Sequence, residues 1–157
     1  MAKPIELKLK PGDAAPDFTA LTQDGATVSL GDFIGKPVVL YFYPRDDTPG
    51  CTREACGFRD AFAQFQKKGA TVLGVSTDSL KKHAKFAGKY RLPFTLLADE
   101  DRKIVELYGV WGEKRFMGRK YQGTHRVTFL IGADGTIKQI WAEVKPAEHA
   151  EEVLAAI

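Results

Sequence analysis

The alternation of apolar and polar positions divides the chain into short elements of two periods. Residues 38–43, Val-Val-Leu-Tyr-Phe-Tyr, form an unbroken β-branched and aromatic run. Such a run fits a strand buried on both faces, in the middle of a mostly parallel sheet. A second buried strand is predicted at 71–75, and a short one at 95–98, entered through Pro93. Strands at 126–131 and 136–142 are joined by Ala133-Asp134-Gly135, a tight turn that makes them antiparallel. Nearer the start, residues 5–9 alternate apolar and charged, which predicts a short edge strand. Segments 17–21 and 27–30 flank Gln23-Asp24-Gly25 and read as a hairpin with an Asp-Gly turn.

The period changes after residue 48. Ala55, Phe58, Phe62 and Phe65 recur at helical spacing, as a packing face. Thr48 is placed as the N-cap, Pro49 at the first helical position, and Lys67-Lys68-Gly69 as a basic last turn with a glycine stop. Further helices are predicted at about 79–90, about 101–108 and from about 147, while 112–124 reads as irregular. The order is β-α-β-α-β-α-β-β-α behind an N-terminal β extension. That predicts an α/β domain, a mixed β-sheet flanked by helices. With 157 residues, one domain spanning 1–157 is expected.

Composition narrows the function. A hydrophobic share of 44% with 27% charged residues is an ordinary globular mix. The net charge of +3 and pI of about 8.8 are spread along the chain, so no nucleic-acid partner is expected. No stretch approaches a membrane span or a signal-peptide core, and the expected location is cytoplasmic. Thiols are kept reduced there, so a close pair such as Cys51 and Cys56 points to catalysis or metal binding more than to a structural staple. Zinc wants four ligands at suitable spacing, and no second Cys or His cluster is visible. No metal or cofactor is therefore expected.

The candidate chemistry lies in Tyr-Pro-Arg-Asp-Asp-Thr-Pro-Gly-Cys-Thr-Arg-Glu-Ala-Cys, 43–56. A thiol attacks as its thiolate, so a reactive cysteine needs positive charge nearby. Cys51 falls in the first helical turn, where free N–H groups and the helix dipole favour an anion. It is in phase with Ala55, Phe58 and Phe62, so it faces inward, and burial opposes ionisation. Arg126, at the start of an apolar strand, is the candidate to supply a fixed charge. Thr48, three residues before Cys51, can set its hydroxyl on the side of the sulfur. Glu54, one turn after Cys51, either pairs with an arginine near the pocket or stands apart.

Residues five apart on an intact helix are rotated by about 140° and separated by ~8.6 Å between Cα atoms. A disulfide needs Cα atoms within ~7 Å. Cys51 and Cys56 can join only if the helix start unwinds. His83, His125 and His149 are isolated and read as surface or strand residues. The basic stretch 114–121 reads as a solvated loop, with bordering the pocket as the alternative.

These residues resemble the peroxiredoxins, and within them the peroxiredoxin Q group, also called bacterioferritin comigratory protein. The family pattern is Pro, three residues, Thr, two residues, Cys; here it falls on Pro44, Thr48 and Cys51. The family's arginine falls on Arg126 within Gly-Thr-His-Arg-Val-Thr-Phe-Leu-Ile, and Cys56 matches the second cysteine of members that carry it on the same helix. Gly-Asp-Ala-Ala-Pro-Asp-Phe at 12–18 and Tyr-Gly-Val-Trp-Gly-Glu-Lys at 108–114 are also similar.

The resemblance implies a thioredoxin-like fold and a peroxidase cycle on hydrogen peroxide and organic hydroperoxides without metal or flavin. In it Cys51 attacks the peroxide, Cys56 closes a disulfide, Thr48 and Arg126 hold the peroxide oxygens, and Pro44 shields the pocket. Thioredoxin or a similar dithiol is the implied reductant, and a monomer the expected state. Two other functions stay open on the residues alone. A dithiol–disulfide oxidoreductase would more usually carry Cys-x-x-Cys. A redox sensor would be oxidised once, without turnover.

Overall fold

The computed structural model describes residues 5–157. The chain begins its regular structure with a hairpin of β1 (Thr19–Thr22) and β2 (Thr27–Ser29), turned through Gly25 at φ +82°. A 3-10 turn over Leu30–Phe33 leads to β3 (Val38–Phe42). Then come α1 (Pro49–Asp60), α2 (Phe62–Lys67), β4 (Thr71–Ser76), α3 (Leu80–Tyr90), β5 (Thr95–Ala98) and α4 (Lys103–Leu107). A second hairpin, β6 (Trp111–Phe116) and β7 (Arg119–Thr124), precedes β8 (Val127–Ile131), β9 (Ile137–Trp141) and α5 (His149–Ala156).

Among the described residues, seven strands form one mixed sheet in the order β2-β1-β5-β4-β3-β8-β9. β3, β4 and β5 run parallel; the flanking pairs are antiparallel. Central β3 is buried along its whole length, and its period of two sorts the core. Val38, Leu40 and Phe42 face one layer, with Ile104, Val105 and Tyr108 of the α4 side. Val39, Tyr41 and Tyr43 face the other, with Phe58, Phe65 and Phe86 from α1, α2 and α3. Tyr41 stacks on Phe58 at 4.7 Å between ring centroids. Its ring crosses β4 where Gly74 sits: a Cβ there would lie 2.8 Å from the ring. Each large apolar side chain buried in these layers contributes about 1.5–3 kcal/mol.

Four expectations need correction. Residues 5–9 form no ladder. Ile5, Leu7 and Leu9 pack against the core half-buried, and the chain reaches the sheet only after them, where Gly12 N–H donates to the Ile137 carbonyl, the Asp13 carbonyl accepts from Ile137 N–H, and Ala14 bridges to Thr136. Alternation set which side chains point inward but supplied no hydrogen-bonding partner. The predicted helix over 49–68 is two helices, parted at Ala61, where the Gln64 N–H bonds back to the Ala61 carbonyl and tightens the turn. The irregular stretch 112–124 is the β6–β7 hairpin, closed by Met117 at φ +50° and Gly118 at φ +80°. Positive φ at both turn residues is the geometry that matches strand twist in a two-residue hairpin. Finally, His83 and His149 are not surface residues; both are buried, at 0% and 1% exposure.

Candidate active site

The sheet brings the site together. β3 ends at Phe42, and the antiparallel register pairs Phe42 with Val127. Arg126, just before β8 and not within it, is therefore set beside the chain as it leaves β3 through Tyr43 and Pro44. The loop then turns through Asp47 at φ +59° and enters α1 at Pro49. Cys51, in the first turn of that helix, is 1% exposed. The Arg126 guanidinium donates from Nη2 to Cys51 Sγ at 3.4 Å and from Nη1 to Glu54 Oε1 at 2.6 Å. The Arg126 guanidinium thus lies beside the sulfur, anchored by a single oxygen of Glu54.

Glu54 is fully enclosed, and its Oε2 has no hydrogen-bond partner among the described residues. Burial pushes its carboxyl up to about 7, against the pull of Arg126 in the opposite direction. Burial draws Arg126 down, but the charges of Glu54 and Cys51 leave it above its ordinary value. Gly50 permits the close approach: a Cβ there would meet Arg126 Nη2 at 3.1 Å.

Thr48 has the extended backbone of an N-cap, and its carbonyl accepts from Thr52 N–H at 2.8 Å. Its hydroxyl, however, makes no capping bond. It donates to the Arg45 carbonyl at 3.0 Å. Pro44 and Thr48 line a cleft of about 750 Å³, together with Lys82, Trp111, Lys114 and Tyr121 among others. Cys51 lies outside that lining. Cys56 is half-buried on the same continuous helix, and both cysteines are free thiols.

Lys114 stands where the alternative reading of the basic stretch put it, at the border of the pocket. It sits on β6, half-buried, and donates to the Thr124 carbonyl at 3.0 Å. Burial and then Arg126 push its amine down, while Cys51 opposes them. The basic stretch does border the cleft, through Lys114 and Tyr121. The sequence signal was Gly118, a weaker hairpin mark than the Asp-Gly of the first turn.

Asp46, Asp78 and His83 form another group, with ligand-type atoms within 4.8 Å of one another. Those atoms bond to protein. His83 Nδ1 meets Asp46 Oδ2 at 2.6 Å, and Asp78 Oδ2 accepts from Asp46 N–H at 2.8 Å and from the Ser76 hydroxyl at 2.6 Å. Their arrangement is a hydrogen-bond network.

Comparison with known proteins agrees with this geometry. The model of the AhpC/TSA family matches residues 11–140. Peroxiredoxin Bcp of Escherichia coli strain K12 is 51% identical over 146 residues, covering 93% of this chain and 94% of that protein. A Coxiella burnetii relative named putative peroxiredoxin bcp is 50% identical over 151 residues, 96% of this chain and 100% of its own length. Among solved structures, the bacterioferritin comigratory protein of Xanthomonas campestris superposes with a TM-score of 0.86 at 37% identity, over 96% of both chains. That work concerns alkyl peroxide reduction, in complexes with a trapped intermediate and ligand. A thiol beneath an arginine at the start of a helix, on a thioredoxin-like mixed sheet, therefore has its relatives: the chain belongs to the AhpC/TSA family, in the peroxiredoxin Q or Bcp group of thiol peroxidases.

Proposed function

We propose that Cys51 is the peroxidatic residue, and that Arg126, Thr48 and Pro44 complete its pocket. The observation that carries this reading is the Arg126 Nη2 to Cys51 Sγ contact at 3.4 Å. The thiolate attacks the outer peroxide oxygen; the O–O bond breaks, and its electron pair leaves with the inner oxygen as hydroxide or alkoxide. That oxygen takes up a proton, giving water or an alcohol, and Cys51 is left as a sulfenic acid. The guanidinium faces the charge that moves along the breaking bond. Thr48, with its own proton committed to the Arg45 carbonyl, presents oxygen lone pairs that accept from the peroxide O–H. Pro44 forms part of the cleft wall.

Cys56 then displaces the sulfenic oxygen as water and forms the Cys51–Cys56 disulfide. A dithiol reductant restores both thiols by exchange, becoming a disulfide itself. Thioredoxin fits that role, with a cytoplasmic monomer as the working form. Among the described residues, no helix is long and apolar enough to cross a membrane. The reach to alkyl hydroperoxides follows the Xanthomonas relative and the aromatic walls of the cleft, Trp111 and Tyr121.

The test is peroxide consumption with excess reductant. Cys51→Ser is expected to fall to background while keeping its fold. Cys56→Ser is expected to form a sulfenic acid, trapped by a dimedone probe, and to lose most recycling. Wild-type turnover by Cys51→Ser would end the assignment. A single stoichiometric oxidation of the intact protein, with reductant present, would favour the sensor instead.

A further inference from the structure

His83 is wholly buried on α3, and its ring nitrogens face two acceptors. Nδ1 meets Asp46 Oδ2 at 2.6 Å, and Nε2 meets the Leu97 carbonyl at 2.8 Å. A carbonyl oxygen cannot donate, so Nε2 carries a proton. Asp46 also accepts from the Tyr43 hydroxyl, on Oδ1 at 2.6 Å. With Nε2 donating, the 2.6 Å contact of Nδ1 with Asp46 Oδ2 requires a proton between them, and we place it on the ring, as an imidazolium against a carboxylate whose side chain is 4% exposed.

Asp46 lies between Pro44 and Thr48 in the loop that leads to Cys51. Its backbone N–H donates to Asp78 Oδ2, which also accepts from the Ser76 hydroxyl. The Arg45 carbonyl belongs to the same planar peptide unit and points the opposite way. That carbonyl is the acceptor of the Thr48 hydroxyl. A rotation of this one peptide would release the Asp78 bond and turn the Thr48 hydroxyl together. We propose that His83 is a positioning residue for peroxide attack: clamped between Asp46 and the Leu97 carbonyl, it fixes the Arg45–Asp46 peptide that orients the Thr48 hydroxyl in the cleft. The groups facing the imidazolium are Asp46 from the loop, Asp78 from beyond β4, the Tyr43 ring at 6.4 Å and the Leu97 carbonyl of β5.

Burial alone would lower the His83 ring below its ordinary value. The Asp46 hydrogen bond and charge, with the Leu97 carbonyl, more than offset it and hold the ring above that value. The stability the pair contributes is thus full at pH values below the ordinary range of histidine. It is lost as pH rises through the raised folded value. Loss of the proton would leave Nδ1 as a lone pair against a carboxylate, or Nε2 against a carbonyl.

The proposal rests on Cys51 as the peroxidatic residue, and its test separates the two. In wild-type protein, ring-nitrogen NMR is expected to show His83 doubly protonated at pH 7. Stopped-flow oxidation by hydrogen peroxide is expected to slow at higher pH in step with the His83 titration. In His83→Gln and Asp46→Asn the oxidation step is expected to be roughly tenfold slower or worse at pH 7, with the high-pH fall gone, because small misplacement of a reacting group costs that much. Disulfide closure, measured separately, is expected to be no slower than in wild type. A neutral His83 at pH 7, or an oxidation rate that ignores its titration, overturns the proposal even if both variants fail to fold. So does wild-type oxidation in folded His83→Gln. An inert Cys51→Ser beside a fully active His83→Gln would sink this proposal and leave the peroxidase assignment standing.

Discussion

At its N-terminal end α1 is tied to the molecule by charge and hydrogen bonds: Arg126 to Cys51 and Glu54, and the Thr48 carbonyl to Thr52. At its C-terminal end it is held by rings. Phe58 is fully buried, stacks on Tyr41, meets Phe65 and Phe94, and takes the edge of His149 at 5.8 Å. α5 closes over that end, with Ala150 packed beside Gly57. Hydrogen bonds of a charged group such as Arg126 contribute about 1.5–3 kcal/mol net, whereas truncating a buried ring costs about 3–5 kcal/mol. On the proposed Cys51–Cys56 cycle, the polar end is the one that has to come apart and reform, while the aromatic end holds the fold. Cys51 belongs to the first region, and Cys56, half-buried, lies at the border with the second.

The sharpest way to break this contrast is Phe58→Ala. It is expected to lower unfolding free energy by about 3–5 kcal/mol in urea titration, while peroxide turnover per folded molecule stays within a few-fold of wild type. An unchanged stability would mean that the aromatic end is not the anchor. Next is oxidation of the wild type to the Cys51–Cys56 disulfide. Far-UV dichroism and amide exchange are expected to show helix lost at 50–57 and protection kept at Phe58 and beyond. Retention of the whole helix in a confirmed disulfide form would contradict the geometry, since intact α1 holds the two sulfurs apart.

Glu54→Gln probes the polar end alone. The raised carboxyl favours the protonated form in the fold. Its stability contribution is therefore full below its ordinary value of 4.5 and is lost as pH rises through about 7. Urea midpoints compared at pH 5 and pH 8 are expected to fall in wild type and to fall less in Glu54→Gln. The smallest effect is expected from Gly50→Ala. Its methyl group would press Arg126 Nη2, at 3.1 Å, and move it by a few tenths of an ångström. The peroxide oxidation step is expected to slow several-fold in stopped flow, with stability little changed.

The two regions also differ in how far they could be read from the chain. The aromatic end announced itself, because Phe58, Phe62 and Phe65 recur at helical spacing and β3 is an unbroken apolar run. Pro44, Thr48 and Cys51 were legible as a local motif. Glu54 was seen beside Cys51, but its partner Arg126 is 72 residues away, and only the β3–β8 register joins them. The buried histidines were misread for the same reason. A polar side chain goes inside when partners await it, and those of His83 and His149 lie 37 and 21 residues away at Asp46 and Thr128. The β6–β7 hairpin was missed because its strands are charged and mostly exposed on both faces, so no alternation marks them.

The pairing of Phe42 with Val127 has a consequence for how this chain tolerates change in length. Adjacent rungs of that ladder point to opposite sides of the sheet, so a single residue added or removed inside β8 would slip the pairing that sets Arg126 beside the chain leaving β3. The same edit at the tip of the second hairpin, around exposed Met117, would leave that ladder intact and act only through the strands that carry Lys114 and Tyr121. A scan of one-residue insertions would thus trace the outline of the working parts without altering any of them.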